Sequence, residues 1–205
     1  MKNAKHLYEE INKCHKCNLM DSKKALRKIE STNLHADVVI ISQALARNAL
    51  RKSGISFYKE DGKLCSTGKR LERFLKKFDR TTDYKSSKCV YNTEIAQCYP
   101  GKKNNGDRPP SIDEVEKCLP FLLKEIDLIK PKLILLMGVK SRNAFYKYVL
   151  NKKEVKNFAE DVGFINYYRD NPVIPIYHAS SANRHFEKMI NDAKLINKIR
   201  RIIKK

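Results

Sequence analysis

The sequence has no apolar run approaching the length that a bilayer-crossing helix needs, which excludes a helical membrane protein. Nothing in it is built like a signal peptide. Met1-Lys2-Asn3-Ala4-Lys5-His6 leads straight into a polar amphipathic segment, so the protein is expected to stay in the cytoplasm. It has no internal repeat and no low-complexity tract, which excludes repeat arrays and biased linkers. Above all it is short of acids. Asp and Glu total 23 against 43 Lys and Arg, a formal net charge of +20. That imbalance favours a polyanionic partner. Nucleic acid is the usual one, because each phosphate contact releases counterions on binding. A Lys-rich, Ile-rich composition from an AT-biased genome is the competing source of such charge. An anionic membrane surface is disfavoured, because no strongly apolar amphipathic helix supports it.

What is present suits one domain over residues 1–205, expected to act as a monomer. Hydrophobic residues make up 41% of the chain, a share that fits a globular core. Four short runs rich in β-branched residues read as strands: 37–42, 89–96, 132–138 and 172–177. The first and third are nearly continuous hydrophobics, the mark of strands buried on both faces. Helical patterns occupy Gly68 to Phe78, Ser111 to Ile129 and Val139 to Leu150. A last basic helix is predicted from about Asn183 to Ile203. Ser111 followed by Glu114 forms a capping box that marks one helix start. Strands alternating with helices predict a three-layer α/β/α fold around a central four-stranded, mainly parallel sheet. In such folds the site lies at the carboxyl ends of the strands. Those ends deliver Ser42-Gln43, the Glu94 to Cys98 region, Gly138 and His178-Ala-Ser180.

Six cysteines remain to be explained: Cys14, Cys17, Cys65, Cys89, Cys98 and Cys118. Without a secretory signal, disulfides are disfavoured and metal ligation rises. Cys14-His-Lys-Cys17 alone reads equally as half a zinc knuckle, a redox pair or chance. Adding Cys98, just past a strand, and Cys118, in the following helix, gives four thiolates. Four can close a zinc site or hold a cubane cluster, and their spacing does not separate the two. Cys65 and Cys89 read as ordinary small residues.

Several segments together resemble the family 4, iron–sulfur uracil-DNA glycosylases. The C-x-x-C is followed by a leucine two residues on, Leu19. Cys98-Tyr-Pro-Gly precedes Asp107-Arg-Pro-Pro and then Cys118-Leu-Pro-Phe-Leu. Ile129-Lys-Pro-Lys-Leu-Ile-Leu-Leu-Met-Gly138 is similar to the family's strand with its terminal glycine. Tyr177-His-Ala-Ser-Ser-Ala-Asn-Arg184 is similar to its H-P-S motif with a trailing arginine. The resemblance implies a [4Fe–4S] cluster on Cys14, Cys17, Cys98 and Cys118, a helix-covered four-stranded parallel sheet, and cleavage of an N-glycosidic bond in DNA. The chain departs from the family twice. The first motif reads Ser42-Gln-Ala-Leu-Ala46 where the family has G-E-A-P-G, so Gln43 takes the glutamate's place. Four residues before the third cysteine, the uracil-reading asparagine of the family is replaced by Glu94.

These matches imply roles. His178 donates to the departing base, and Gln43 orients the attacking water. Phe57 or Tyr58 stacks on the base, and Glu94 reads its edge. Ser180, Arg108, Lys102 and Lys103 contact the DNA backbone, and Arg184 contacts the backbone or the gap left by the flipped base. An ionised carboxylate only accepts hydrogen bonds, so Glu94 suits the N4 amino group of cytosine better than uracil O4. Because excision of plain cytosine is lethal to a host, the expected base is a C5-modified cytosine, and the expected setting is defence against modified phage DNA. Three other readings stand beside this one. They are an ordinary uracil repair enzyme, a non-catalytic cluster-bearing nucleic-acid-binding protein, and an enzyme of free nucleosides or nucleotides. The high net charge disfavours the last.

Overall fold

The computed structural model describes residues 2–17, 33–44, 53–103, 106–152 and 157–204. Leu19, the Leu45-Ala46 end of the first motif and the Asn104-Asn105 loop tip lie outside the described residues.

The chain starts with helix α1 (Lys2–Lys13), followed by strand β1 (Val38–Ala44) and helix α2 (Ser66–Lys76). Strand β2 (Tyr91–Ala96) precedes a small hairpin of β3 (Lys102–Lys103) and β4 (Gly106–Asp107). Helix α3 (Ile112–Ile129), strand β5 (Leu133–Met137) and helix α4 (Val139–Tyr148) come next. The last part holds helix α5 (Phe158–Asp161), strands β6 (Asn166–Tyr168) and β7 (Asn171–Ile176), and helices α6 (Arg184–Ile190) and α7 (Ala193–Lys204). Among the described residues no helix is long and apolar enough to cross a membrane.

The main sheet has the order β2-β1-β5-β7-β6. Its first four strands are parallel, as the alternation of elements predicts, while β6 adds an antiparallel edge through a tight return into β7. That fifth strand is too short, and its Asn-Tyr-Tyr too weakly patterned, to be read as a strand from periodicity. From β1 the chain moves outward to β2, then crosses to the other side of β1 to lay down β5. The direction therefore reverses between β1 and β5, the kind of switch point whose carboxyl end opens a crevice.

Strand alternation sorts side chains into two cores. Val38, Ile40, Leu133, Leu135, Ile174 and Ile176 face α2, α6 and α7, meeting Leu71, Phe74, Phe186 and Ile199. Val39, Ile41, Ile134, Leu136 and Val173 face α1, α3 and α4, meeting Leu7, Ile11, Leu122, Ile126 and Phe145. Both faces of β1 and β5 are sealed, which is why those strands are almost uninterrupted hydrophobics.

Local signals set most boundaries. Ser111 caps α3, its hydroxyl accepting from the Glu114 N–H while the Glu114 carboxylate accepts from the Ser111 N–H. Lys130, in a left-handed conformation before Pro131, ends that helix. Cys65 caps α2 through its sulfur, which accepts from the Gly68 N–H at 3.4 Å. The single basic helix expected from Asn183 to Ile203 is in fact two. It breaks at Asn191-Asp192, where the Asp192 carboxylate accepts from the N–H groups of Lys194 and Leu195 and so starts a new helix.

Candidate active site

His178 stands two residues past the end of β7, between Tyr177 and Ala179, which pack against the α2-side core. Its ring is half-buried, and Nδ1 accepts a hydrogen bond from the Ser180 backbone N–H at 3.1 Å. A neutral imidazole with Nδ1 as acceptor carries its proton on Nε2, so the free nitrogen is a donor. Burial, and then the nearby Arg70 charge, hold the His178 pKa below the usual histidine value. The ring is thus a neutral donor at physiological pH.

Gly138 lets this ring sit where it does. At φ 95° and ψ 162° its backbone lies in a region open essentially to glycine alone. A Cβ there would also lie 3.2 Å from the His178 Cβ and 3.5 Å from Cδ2. Its N–H donates to the Ile176 carbonyl at 2.8 Å, tying the start of α4 to the end of β7.

Glu94 lies in β2 directly beside Ser42 of β1 and is 7% exposed. Alternation puts Ser42, Glu94 and Met137 on the same face, at the carboxyl ends of neighbouring strands, and His178 follows the end of β7. Gln43 alternates to the other face with Val39 and Ile41.

Phe57 adopts φ 68°, unusual for a bulky side chain, and packs against the α2-side core. Gly68 makes room for it, since a Cβ on Gly68 would fall 2.8 Å from the Phe57 Cβ. Tyr58 turns away to meet Tyr84 edge-on, with ring centroids 5.7 Å apart. Of the two aromatic candidates, Phe57 is the one packed against the α2-side core, which also takes Tyr177 and Ala179 on either side of His178.

On the opposite face a buried polar network underlies β2. Glu125, fully buried on α3, accepts from the Tyr91 hydroxyl at 2.6 Å, from Thr93 at 2.5 Å and from the Gln97 amide at 2.8 Å. Tyr8 of α1 hydrogen-bonds Tyr91 at 2.6 Å. Three donors on one carboxylate offset the cost of burying it. They also pin α1, β2 and α3 together close to the cysteine set.

That set is Cys14 and Cys17 just after α1, Cys98 just after β2, and Cys118 in α3; all six cysteines of the chain are free thiols. Burial pushes the Cys118 thiol up to about 12, with the charges of Cys98, Cys17 and Cys14 each adding to the effect. The Gln97 backbone N–H is directed at Cys118. Among the described residues, no three Cys, His, Asp or Glu side chains are grouped closely enough to hold a single metal ion.

The backbone-contact candidates fare unevenly. Lys102 and Lys103 are exposed on the β3–β4 hairpin, and Arg184 is exposed at the start of α6. Ser180 is half-buried in the turn that fixes His178. Arg108 is instead held by Glu114, its guanidinium donating to both carboxylate oxygens at 2.9 and 2.6 Å. Sequence reading missed Arg70, on α2. Its guanidinium donates to Glu187 at 2.9 Å, to the Asn183 carbonyl at 2.9 Å and to the Ala179 carbonyl at 3.5 Å. Only the tertiary fold brings it to the His178 turn, more than a hundred residues away along the chain.

A family model described as the uracil DNA glycosylase superfamily matches residues 29–203. A type-4 uracil-DNA glycosylase of Saccharolobus solfataricus is 29% identical over 154 residues, covering 75% of this chain and 64% of that protein. One from Sulfurisphaera tokodaii is 26% identical over 201 residues, covering 94% of this chain and 82% of that protein. One from Archaeoglobus fulgidus is 30% identical over 144 residues, covering 67% of this chain and 61% of that protein. The chain thus spans slightly under two thirds of the first and third of these relatives.

Proposed function

The chain belongs to the uracil DNA glycosylase superfamily, and from that membership we propose that it is a DNA glycosylase. It cleaves the N-glycosidic bond of a flipped-out pyrimidine and leaves an abasic site. The observation that carries this reading is the His178 tautomer. With Nδ1 occupied by the Ser180 N–H, the proton on Nε2 is free to meet the base O2. When the C1′–N1 bond breaks, the electron pair leaves with the base and positive character grows on the sugar. A fixed neutral donor at O2 stabilises negative charge only as it develops, which is the kind of binding that accelerates a reaction. Water then adds to C1′ and releases its proton to solvent or base. Phe57 supplies the stacking surface, and Ser180, Arg184, Lys102 and Lys103 hold the phosphate backbone. The net charge of +20 suits DNA as the partner.

Cys14, Cys17, Cys98 and Cys118 fit a [4Fe–4S] cluster, because the donors are all thiols and are drawn from three elements that pack together. A backbone N–H on one sulfur is the usual outer-shell support. The cluster's contribution is structural, fastening the end of α1 to β2 and α3.

The base read is a C5-modified cytosine, with Glu94 accepting from its N4 amino group, and the setting is defence against modified phage DNA. A second reading, excision of uracil in repair, is favoured by the names of the relatives. Both make a monomeric cytoplasmic enzyme. The deciding experiment incubates the protein with oligonucleotides that each carry one altered base, then cleaves abasic sites with alkali. One base should be excised, and His178→Ala should slow its removal by about a hundredfold or more, with DNA binding intact. No cleavage with any base, or a His178→Ala variant as fast as wild type, refutes the catalytic assignment.

A further inference from the structure

The geometry assigns Arg70 a positioning role. Its guanidinium clamps the 178–183 turn, so that the Ser180 N–H stays on His178 Nδ1 and the donor proton stays on Nε2. This rests on His178 being the donor to the base.

The clamp is specific in its contacts. One planar guanidinium reaches two backbone carbonyls, at the near end (Ala179) and the far end (Asn183) of the turn that contains Ser180. Its Nε is taken by Glu187, one turn into α6. The Arg70 side chain is 12% exposed, whereas Arg73 on the same carboxylate is 59% exposed. The guanidinium also lies 5.3 Å from the centre of the buried Phe186 ring. A lysine has one charged centre and no fixed fork, so it does not make these contacts together. Among the described residues the turn is also held by the Asn183 N–H on the Ser180 carbonyl, the Ser180 N–H on His178, the Asn183 side chain accepting from the His185 N–H, and the stacking of Tyr177 on His185.

Charge acts in the same direction as shape. The charged or titratable groups on the elements around this turn are Lys69, Arg70, Glu72, Arg73 and Lys76 from α2, Tyr91 and Glu94 from β2, and Arg184, His185, Glu187 and Lys188 from α6, with Tyr177 next to the turn. Of these it is Arg70 whose charge bears on His178, opposing a second proton on the ring. A doubly protonated ring has no acceptor for the Ser180 N–H, so the turn would open. Two arginines share the one carboxylate of Glu187, which leaves an excess of positive charge beside the histidine.

The test reads the histidine itself. Full-length protein labelled with 15N in its imidazole rings is titrated by long-range 1H–15N spectroscopy, the His178 signal being identified by its loss in His178→Ala. Wild type should show the Nε2–H tautomer and titrate below an ordinary histidine. Arg70→Gln should raise the His178 pKa and mix its tautomers. Arg70→Lys should keep the low pKa but not the single tautomer. Glu187→Gln strips the counter-charge and should lower the pKa further, a shift opposite in sign to that of Arg70→Gln. A loss of packing alone does not produce two opposite shifts. Excision from a uracil duplex and a 5-hydroxymethylcytosine duplex is measured alongside, and Arg70→Gln should lose about tenfold or more in rate on whichever is cut, with little change in DNA affinity. Unchanged His178 titration and tautomer in Arg70→Gln and Glu187→Gln overturn the assignment. If the spectra shift as expected while His178→Ala excises normally, the clamp stands and the catalytic reading of His178 falls. Should Arg70→Gln not fold, Arg70→Lys and Glu187→Gln decide: two wild-type spectra refute the role.

Discussion

Replacing Gly138 by Ala perturbs the site by two separable routes. The first is backbone strain. At φ 95° and ψ 162° an L-residue is held in a sparsely populated region, which costs about 1–3 kcal/mol. In a chain of this size roughly 2–4 °C of Tm is lost per kcal/mol, so the melting point should fall by about 2–12 °C. The second route is displacement. The new methyl would lie 3.2 Å from the His178 Cβ, close enough that one of the two must give by a few tenths of an ångström. The neighbour is the root of the ring that carries the donor proton, so this shift moves Nε2. A misplacement near 1 Å costs about a hundredfold in rate, so a few tenths should cost around tenfold. Gly62→Ala separates the two routes. Gly62 also has a positive φ, 75°, but nothing lies within 4 Å of its Cβ position. Thermal denaturation and single-turnover excision of both variants, at a temperature where each is folded, give the comparison. Gly138→Ala should lose stability and rate, and Gly62→Ala only stability. Equal rates in the two refute the steric link between Gly138 and His178.

Two further outcomes follow from the site. Wild type and Glu94→Asn, compared on uracil, cytosine, 5-hydroxymethylcytosine and its glucosylated form, should show preferences reversed by about ten- to hundredfold, the scale of one well-made base-edge contact. Efficient excision of uracil by wild type, with every cytosine derivative ignored, sinks the modified-cytosine reading and leaves a repair enzyme. Protein purified without oxygen should be brown, with about four irons and four sulfides per chain. Removing that metal should lower Tm, because a cluster on these four cysteines would join the end of α1 to β2 and α3. Stoichiometric zinc without iron overturns the cluster.

Much of this protein was legible in its sequence, for local reasons. The continuous Val38–Ile41 and Leu133–Met137 runs mark doubly covered strands, because only a strand with helices on both faces needs apolar side chains at every position. The Ser111–Glu114 capping box marks the start of α3, because its hydrogen bonds close within four residues. His178 and Gly138 stand out as candidates because strand ends are where such folds place their sites. The break between α6 and α7 was missed, since Asp192 in a basic amphipathic stretch reads equally as a surface residue and a cap.

Other features have no local signature. Which face Gln43 takes depends on how far β1 extends beyond Ser42, and pairing with β2 through Ala44 and Ala96 decides it. Arg108 looked like a free cation, and Glu114 claims it only after α3 has formed. Arg70 in Lys-Arg-Leu-Glu-Arg reads as one more basic residue on a helix surface. Its role exists only once α2 is packed against the turn after β7, more than a hundred residues away. The sequence by itself determined the four parallel strands, the main helices between them, their order and the chemical groups at the strand ends, because propensity, period and capping act over a few residues. The tertiary structure alone decided the pairing of those groups. Hydrogen bonds and ion pairs act over a few ångströms, and nothing along the chain says which distant residues will come that close.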